Sequence, residues 1–181
     1  TQHYFALFME RGALLTVGAV VLLGILGAGG WFWYADQQRR GIAAYAEAMT
    51  RVQVAAQASQ APAEAREAAT RDLEAALQRY PSAATAPQAA FQLGHLRYAA
   101  QQYAAARGAY EVAMVKAGPG TIGTLARAGI GAAWEAERNY PKAAEAYQAA
   151  LAPLMPKGFF YEELSIDLGR FPYLLLAYAA A

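Results

Sequence analysis

Residues 93–114 read LGHLRYAAQQYAAARGAYEVAM, and residues 130–151 read IGAAWEAERNYPKAAEAYQAAL. Laid over each other, they align Leu93-Gly94 with Ile130-Gly131, Tyr103 with Tyr140, Ala106 with Ala143, and Tyr110 with Tyr147. Ala113-Met114 then falls on Ala150-Leu151. The glycine-to-tyrosine interval is nine residues in both, followed by steps of three, four and three. Steps of three and four keep side chains on one helical face. The offset is 37 residues, a period typical of stacked helical units. One period upstream, Ala69, Leu73 and Ala76 fall in phase. A later copy opens at Leu168-Gly169, with Tyr178 and Ala181 in register.

The chemistry of this spacing is packing. Gly94 and Gly131 sit where two helices of a hairpin approach too closely for a side chain. Ala106 and Ala143 are the small residues facing them. Tyr110 and Tyr147 fill the space alongside, and Tyr103 and Tyr140 cover the turn. Each hairpin has an apolar face that only a neighbour can bury. The pattern of Leu-Gly, a later Ala, an aromatic and a closing Pro resembles the tetratricopeptide repeat. That resemblance implies an all-α, hairpin-stacking solenoid over residues 62–181. Two features depart from it. Ala90 and Arg127 stand where an aromatic is usual, and the linker Lys116-Ala-Gly-Pro-Gly120 is longer than usual. Both predict irregular stacking.

Moving toward the N-terminus, Glu64 to Tyr80 reads as a helix closed by Pro81, and Ser82 as the N-cap of a helix running to about Ala100. Ser59 to Pro62 reads as a turn, with proline at the start of the next helix. Before it lies Ala13 to Tyr34, ALLTVGAVVLLGILGAGGWFWY, without a charge. About 20 apolar residues suffice for one helix to cross the hydrocarbon core. A buried core helix is usually shorter, and a cleavable leader ends in small residues rather than Trp31-Phe-Trp-Tyr34. Aromatic rings at that end favour the headgroup layer. Residues 13–35 are therefore read as an uncleaved transmembrane helix, with 1–12 as an interfacial segment. Residues 36–61 read as a helical extension that Gly41 can break. Gly24 and Ala28 form a small-xxx-small pair suited to close packing with another membrane helix.

Toward the C-terminus, Phe159 to Arg170 reads as the first helix of another hairpin, interrupted at Pro172. Residues 174–181 are apolar, whereas a solenoid ends in a polar cap. The expectation is that further chain or another protein covers this end.

Composition narrows the function. The formal net charge is +1 over 181 residues, which gives no sign of nucleic acid as partner. Cysteine is absent, which excludes disulfides, thiolate metal sites and cysteine nucleophiles. No phosphate loop, metal-ligand spacing or nucleophile–base pair occurs, so no cofactor and no enzymatic activity are expected. What remains is a surface. Gln88, Phe91, His95 and Tyr98 project from the first helix of one hairpin, and Leu125, Ala132 and Glu135 from the next. In tetratricopeptide-like solenoids this concave surface holds partner segments.

The order of elements also resembles the YfgM-like family: a short N-terminal segment, one glycine-rich membrane helix ending in Trp and Tyr, an Ala-rich helix, then repeat hairpins. That resemblance implies a bacterial inner-membrane protein with its repeats in the periplasm, associated with the Sec translocon and periplasmic chaperones. Arg39 and Arg40 after the anchor, against Arg11 before it, point the other way under the positive-inside rule. The periplasmic orientation is the one adopted. The alternative function is a structural accessory subunit of a large respiratory or photosynthetic membrane complex.

Overall fold

A computed structural model describes residues 2–57 and 63–154, with side chains described at 18–55 and 63–154. The expected turn at 59–62 and hairpin beyond residue 158 lie outside the described residues. All regular structure among the described residues is helical. The helices are α1 (Gln2–Gln57), α2 (Ala63–Arg79), α3 (Ala86–Ala99), α4 (Tyr103–Ala117), α5 (Thr121–Ala136) and α6 (Tyr140–Leu151). Two compact units divide the chain between Arg40 and Gly41.

In the first unit, α1 is long and apolar enough to cross a membrane. Its large apolar side chains from Val20 to Tyr34 are all exposed, Trp33 at 66%. An added Cβ at Gly18, Gly24, Gly27, Gly29 or Gly30 would meet nothing within 4 Å. Asp36 and Arg40 pair at 2.8 Å along the helix.

The second unit begins with the last turns of α1. The break allowed at Gly41 does not occur, because α1 continues through it to Gln57. The missing side chain serves another purpose. A Cβ at Gly41 would lie 2.6 Å from that of Ala83, so glycine lets this neighbour come close. Tyr45 and Ala48 then pack with Leu73, Ala76, Ala86 and Leu93, and the Tyr45 hydroxyl donates to the Tyr80 carbonyl at 2.8 Å.

The backbones of α3 and α4, of α4 and α5, and of α5 and α6 approach most closely. The core is built largely of alanine, which permits this. Burial follows the 37-residue phase on three helices: Ala69, Leu73 and Ala76 on α2; Ala106, Tyr110 and Ala113 on α4; Ala143, Tyr147 and Ala150 on α6.

The turns inside the two hairpins match bond for bond. After α3, the Gln101 N–H donates to the Tyr98 carbonyl and that of Gln102 to Arg97. After α5, Arg138 donates to Glu135 and Asn139 to Trp134, each 37 residues on. This is a Schellman ending, which normally uses glycine at the left-handed position. Here Gln101 and Arg138 hold it, both at φ 60°.

Two sequence expectations are corrected. Ser82 does not cap α3; the helix starts at Ala86 after Thr85, with Pro87 in its first turn. Proline lacks the N–H that a cap would satisfy, so the start is set by backbone geometry. The linker after α4 is short, because Lys116 and Ala117 remain helical and only residues 118–120 connect to α5. Gly118, at φ 64°, makes the sharp exit. A side chain on Gly123 would overlap the Gly118 carbonyl, so the turn is pinned at both ends.

Candidate functional site

The hairpin glycines set the floor of the candidate face. A Cβ on Gly94 of α3 would overlap the Tyr110 ring, and one on Gly131 of α5 would lie 3.1 Å from the Tyr147 ring. Tyr110 is also flanked by Gly129 of α5, where a Cβ would sit 2.7 Å away. Its ring is therefore held between two backbones. Burial pushes its phenol up to about 12, with Tyr98 adding a smaller push.

The tyrosine hydroxyls reach the exposed edge of α3 and α5. Tyr110 Oη lies 3.2 Å from His95 Nδ1. Phe91 meets the His95 ring edge-on at 4.4 Å, and Tyr110 meets it at 5.5 Å. Burial of the ring lowers the His95 pKa, although the residue as a whole stays exposed. Phe91 is half-buried against the Tyr110 cluster. In the second hairpin the Tyr147 hydroxyl donates to Glu135 Oε2 at 3.1 Å.

Tyr98 and Glu135 occupy equivalent positions one period apart, and they share a cleft of about 500 Å³. Ala132, Ala136, Arg138, Tyr140 and Tyr147 complete its wall. Tyr98 stacks edge-on with Tyr103 at 5.4 Å, which fixes one side. The Tyr98 phenol is raised by burial first, then by Tyr103 and the Glu135 charge. Tyr140 packs against the Ala143–Tyr147–Ala150 cluster, which fixes the other side.

Of the surface residues named from sequence, Tyr98, Ala132 and Glu135 thus come together. Phe91 and His95 form a separate aromatic group over Tyr110. Gln88 is exposed and Leu125 half-buried, and neither lines the cleft. Gly24 and Ala28 lie on the exposed apolar part of α1. Sequence reasoning missed three contributors. Gly129 was missed because its equivalent in the first copy is Gln92. Arg138 was missed because it sits in the turn, where neither it nor its equivalent Gln101 carries a sequence signal. Trp134 lies between two cations, with Arg107 Cζ 3.5 Å and Lys142 Nζ 4.3 Å from its ring centroid.

Trp134 and Arg97 are also equivalent by period, and both tie their helix to the preceding one. Arg97 Nη1 and Nη2 pair with Glu67 at 2.9 Å and Glu74 at 2.8 Å on α2. Arg107 on α4 lies over Trp134 and pairs with Glu137. The chemistry differs, yet the junctions coincide.

No cluster of metal-ligating side chains occurs among the described residues. The cleft offers hydroxyls, one carboxylate, one guanidinium and aromatic surface, a set suited to holding a polar segment. No protein-family model, no curated protein and no solved structure matches this chain.

Proposed function

We propose that this chain is a single-pass, membrane-anchored scaffold whose tetratricopeptide-like hairpins dock protein partners at the membrane surface. The observation that carries this reading is the pairing of two unlike surfaces in one chain. An uncovered apolar helix spans Val20 to Tyr34, and an alanine-packed hairpin unit carries a polar, aromatic-walled cleft. The helix fits a bilayer as its environment, since a row of exposed Leu, Val and Trp side chains is costly in water. Anchoring confines the docking face to the membrane, which raises its effective concentration toward membrane-bound partners. The role is binding rather than catalysis, with no cofactor and no nucleic acid. The resemblance to the YfgM-like family supports a bacterial inner membrane, repeats in the periplasm, and translocon or chaperone partners.

Extraction in mild detergent, followed by identification of co-purifying chains, tests the partner. Translocon or chaperone components support the reading. Respiratory or photosynthetic subunits contradict it and favour a structural subunit of such a complex. Protease treatment of intact spheroplasts tests orientation: the repeats should be degraded, and a protected domain places them in the cytoplasm.

A further inference from the structure

We infer that a second copy of this chain packs against the outward face of α4, the two α4 helices running parallel about a two-fold axis. This goes beyond the docking reading above; only the strength of the pairing rests on the membrane anchor. Ala105, Gly108, Val112 and Val115 follow one another on α4 at steps of three, four and three. That is the a and d spacing of a two-stranded helical contact. All four are exposed, Val112 at 41% and Val115 at 76%. The in-phase helices carry charge at these places. Arg71 on α2 is equivalent to Gly108, and Lys142 and Glu145 on α6 are equivalent to Ala105 and Gly108; all three are exposed. Of the three helices, only α4 leaves the stripe uncharged. Glycine weakens an exposed helix interior, and a Cβ on Gly108 would meet nothing within 4 Å. Close approach of another backbone gives that glycine a use. The stripe borders a groove of about 470 Å³, with Ala90 and Leu93 at its base and Leu77 of α2 across it, which offers room for incoming side chains.

Charge selects a second copy and its direction. Glu111 stands just before Val112, and Lys116 just after Val115. These are the flanking g and e positions, which face each other across a parallel pair. Glu111 of each chain therefore meets the partner's Lys116, and the two-fold forms that pair twice. Both residues are exposed at the rim. Lys116 already donates to the Pro81 carbonyl, but an ammonium has three N–H groups, so two remain. In an antiparallel pair like flanks would meet, glutamate toward glutamate, which disfavours it. One 15-residue helix per copy buries less than the roughly 1,200–2,000 Å² of stable soluble complexes. Confinement in one bilayer raises the effective concentration and compensates for that small area.

The test uses single-cysteine variants of the full chain in native membranes, since the chain has no cysteine of its own. Under mild oxidation, Val112→Cys and Val115→Cys should form linked dimers about fivefold faster than Ala149→Cys, because only facing residues come within disulfide reach. Ala149 is the equivalent of Val112 on α6 and is also exposed. In the Val115→Cys background, Glu111→Lys or Lys116→Glu should each slow linking about threefold, and the two together should restore it. Gly108→Leu should abolish the preference with an unchanged circular dichroism spectrum, since its side chain has open space within one chain. Equal linking of Val112→Cys and Ala149→Cys overturns the inference, as does a double reversal that fails to rescue. A Val112→Cys thiol that neither links nor reacts with maleimide before detergent is added shows a different protein on α4, which also overturns it. If the linking pattern fails while membrane partners co-purify, the α4 pairing is wrong and the docking reading stands. If the pattern holds and no such partners are found, the docking reading fails and the pairing stands.

Discussion

Gly94 and Gly131 hold the same place in their hairpins, yet they differ in how much room they leave. The Tyr110 ring is caught between Gly94 and Gly129 and cannot retreat, whereas a Cβ on Gly131 meets the Tyr147 ring at 3.1 Å, a tight contact that a small shift of the ring relieves. Gly94→Ala should therefore destabilise the protein by about 1–3 kcal/mol through overpacking. Gly131→Ala should stay within about 1 kcal/mol of wild type, because the helix preference of alanine offsets the crowding. Thermal unfolding of the two variants checks this. A second residue-scale prediction concerns Gln101, which adopts the left-handed conformation at φ 60°. Gln101→Gly should stabilise by up to about 1 kcal/mol by relieving that conformation, where glycine elsewhere in a helix would destabilise. His95 supplies a third. Its folded pKa is lowered by burial, so below about pH 6.5 the unfolded chain takes up the proton more readily. Stability from this group is complete above that pH and declines as pH falls through it. His95→Phe should flatten this part of the stability–pH curve; an unchanged slope would show that the ring is not the cause.

At the scale of elements, what the sequence discloses depends on whether a contact recurs. The glycine, alanine and tyrosine positions of α3 to α6 were legible because small and large residues must alternate wherever paired helices touch. Leu73 on α2 belongs to that series too, and it is fully buried. The Schellman turns were illegible because neither Gln101 nor Arg138 advertises a left-handed conformation. Ser82 misled, since a serine near a helix start suggests a cap that Pro87 makes unnecessary. At Gly41 the helix continues, as the reading of one extended helix to about Ala58 has it; what the sequence did not show is that the absent side chain admits Ala83. The cleft was half legible, because Tyr98 and Glu135 share a phase while Arg138 sits in a turn. Junctions between hairpins use different chemistry at equivalent places, an arginine with two glutamates in one and a tryptophan under Arg107 of the preceding helix in the other. Arg97 is mostly buried and its glutamates about 42–43% exposed. Discounting for that exposure, Arg97→Met should cost about 1 kcal/mol by leaving two carboxylates facing each other. Denaturant unfolding should show that cost shrinking when salt is raised, since the added repulsion is screened.

For the whole molecule, the claim is that one chain combines a lipid-embedded helix with a water-facing docking unit. On that reading a bilayer would cover the apolar side chains that stand exposed from Val20 to Tyr34. Alanine and glycine do the reverse work in the second unit, where close backbone approach replaces bulky core residues. The absence of cysteine makes the claim directly measurable, because any single introduced thiol is the only one present. Maleimide labels an ionised thiol, which forms in water and not in hydrocarbon. In intact membranes, Leu26→Cys should resist a membrane-permeant maleimide until detergent is added, while Glu111→Cys should label readily. Equal labelling of the two before detergent would contradict the account.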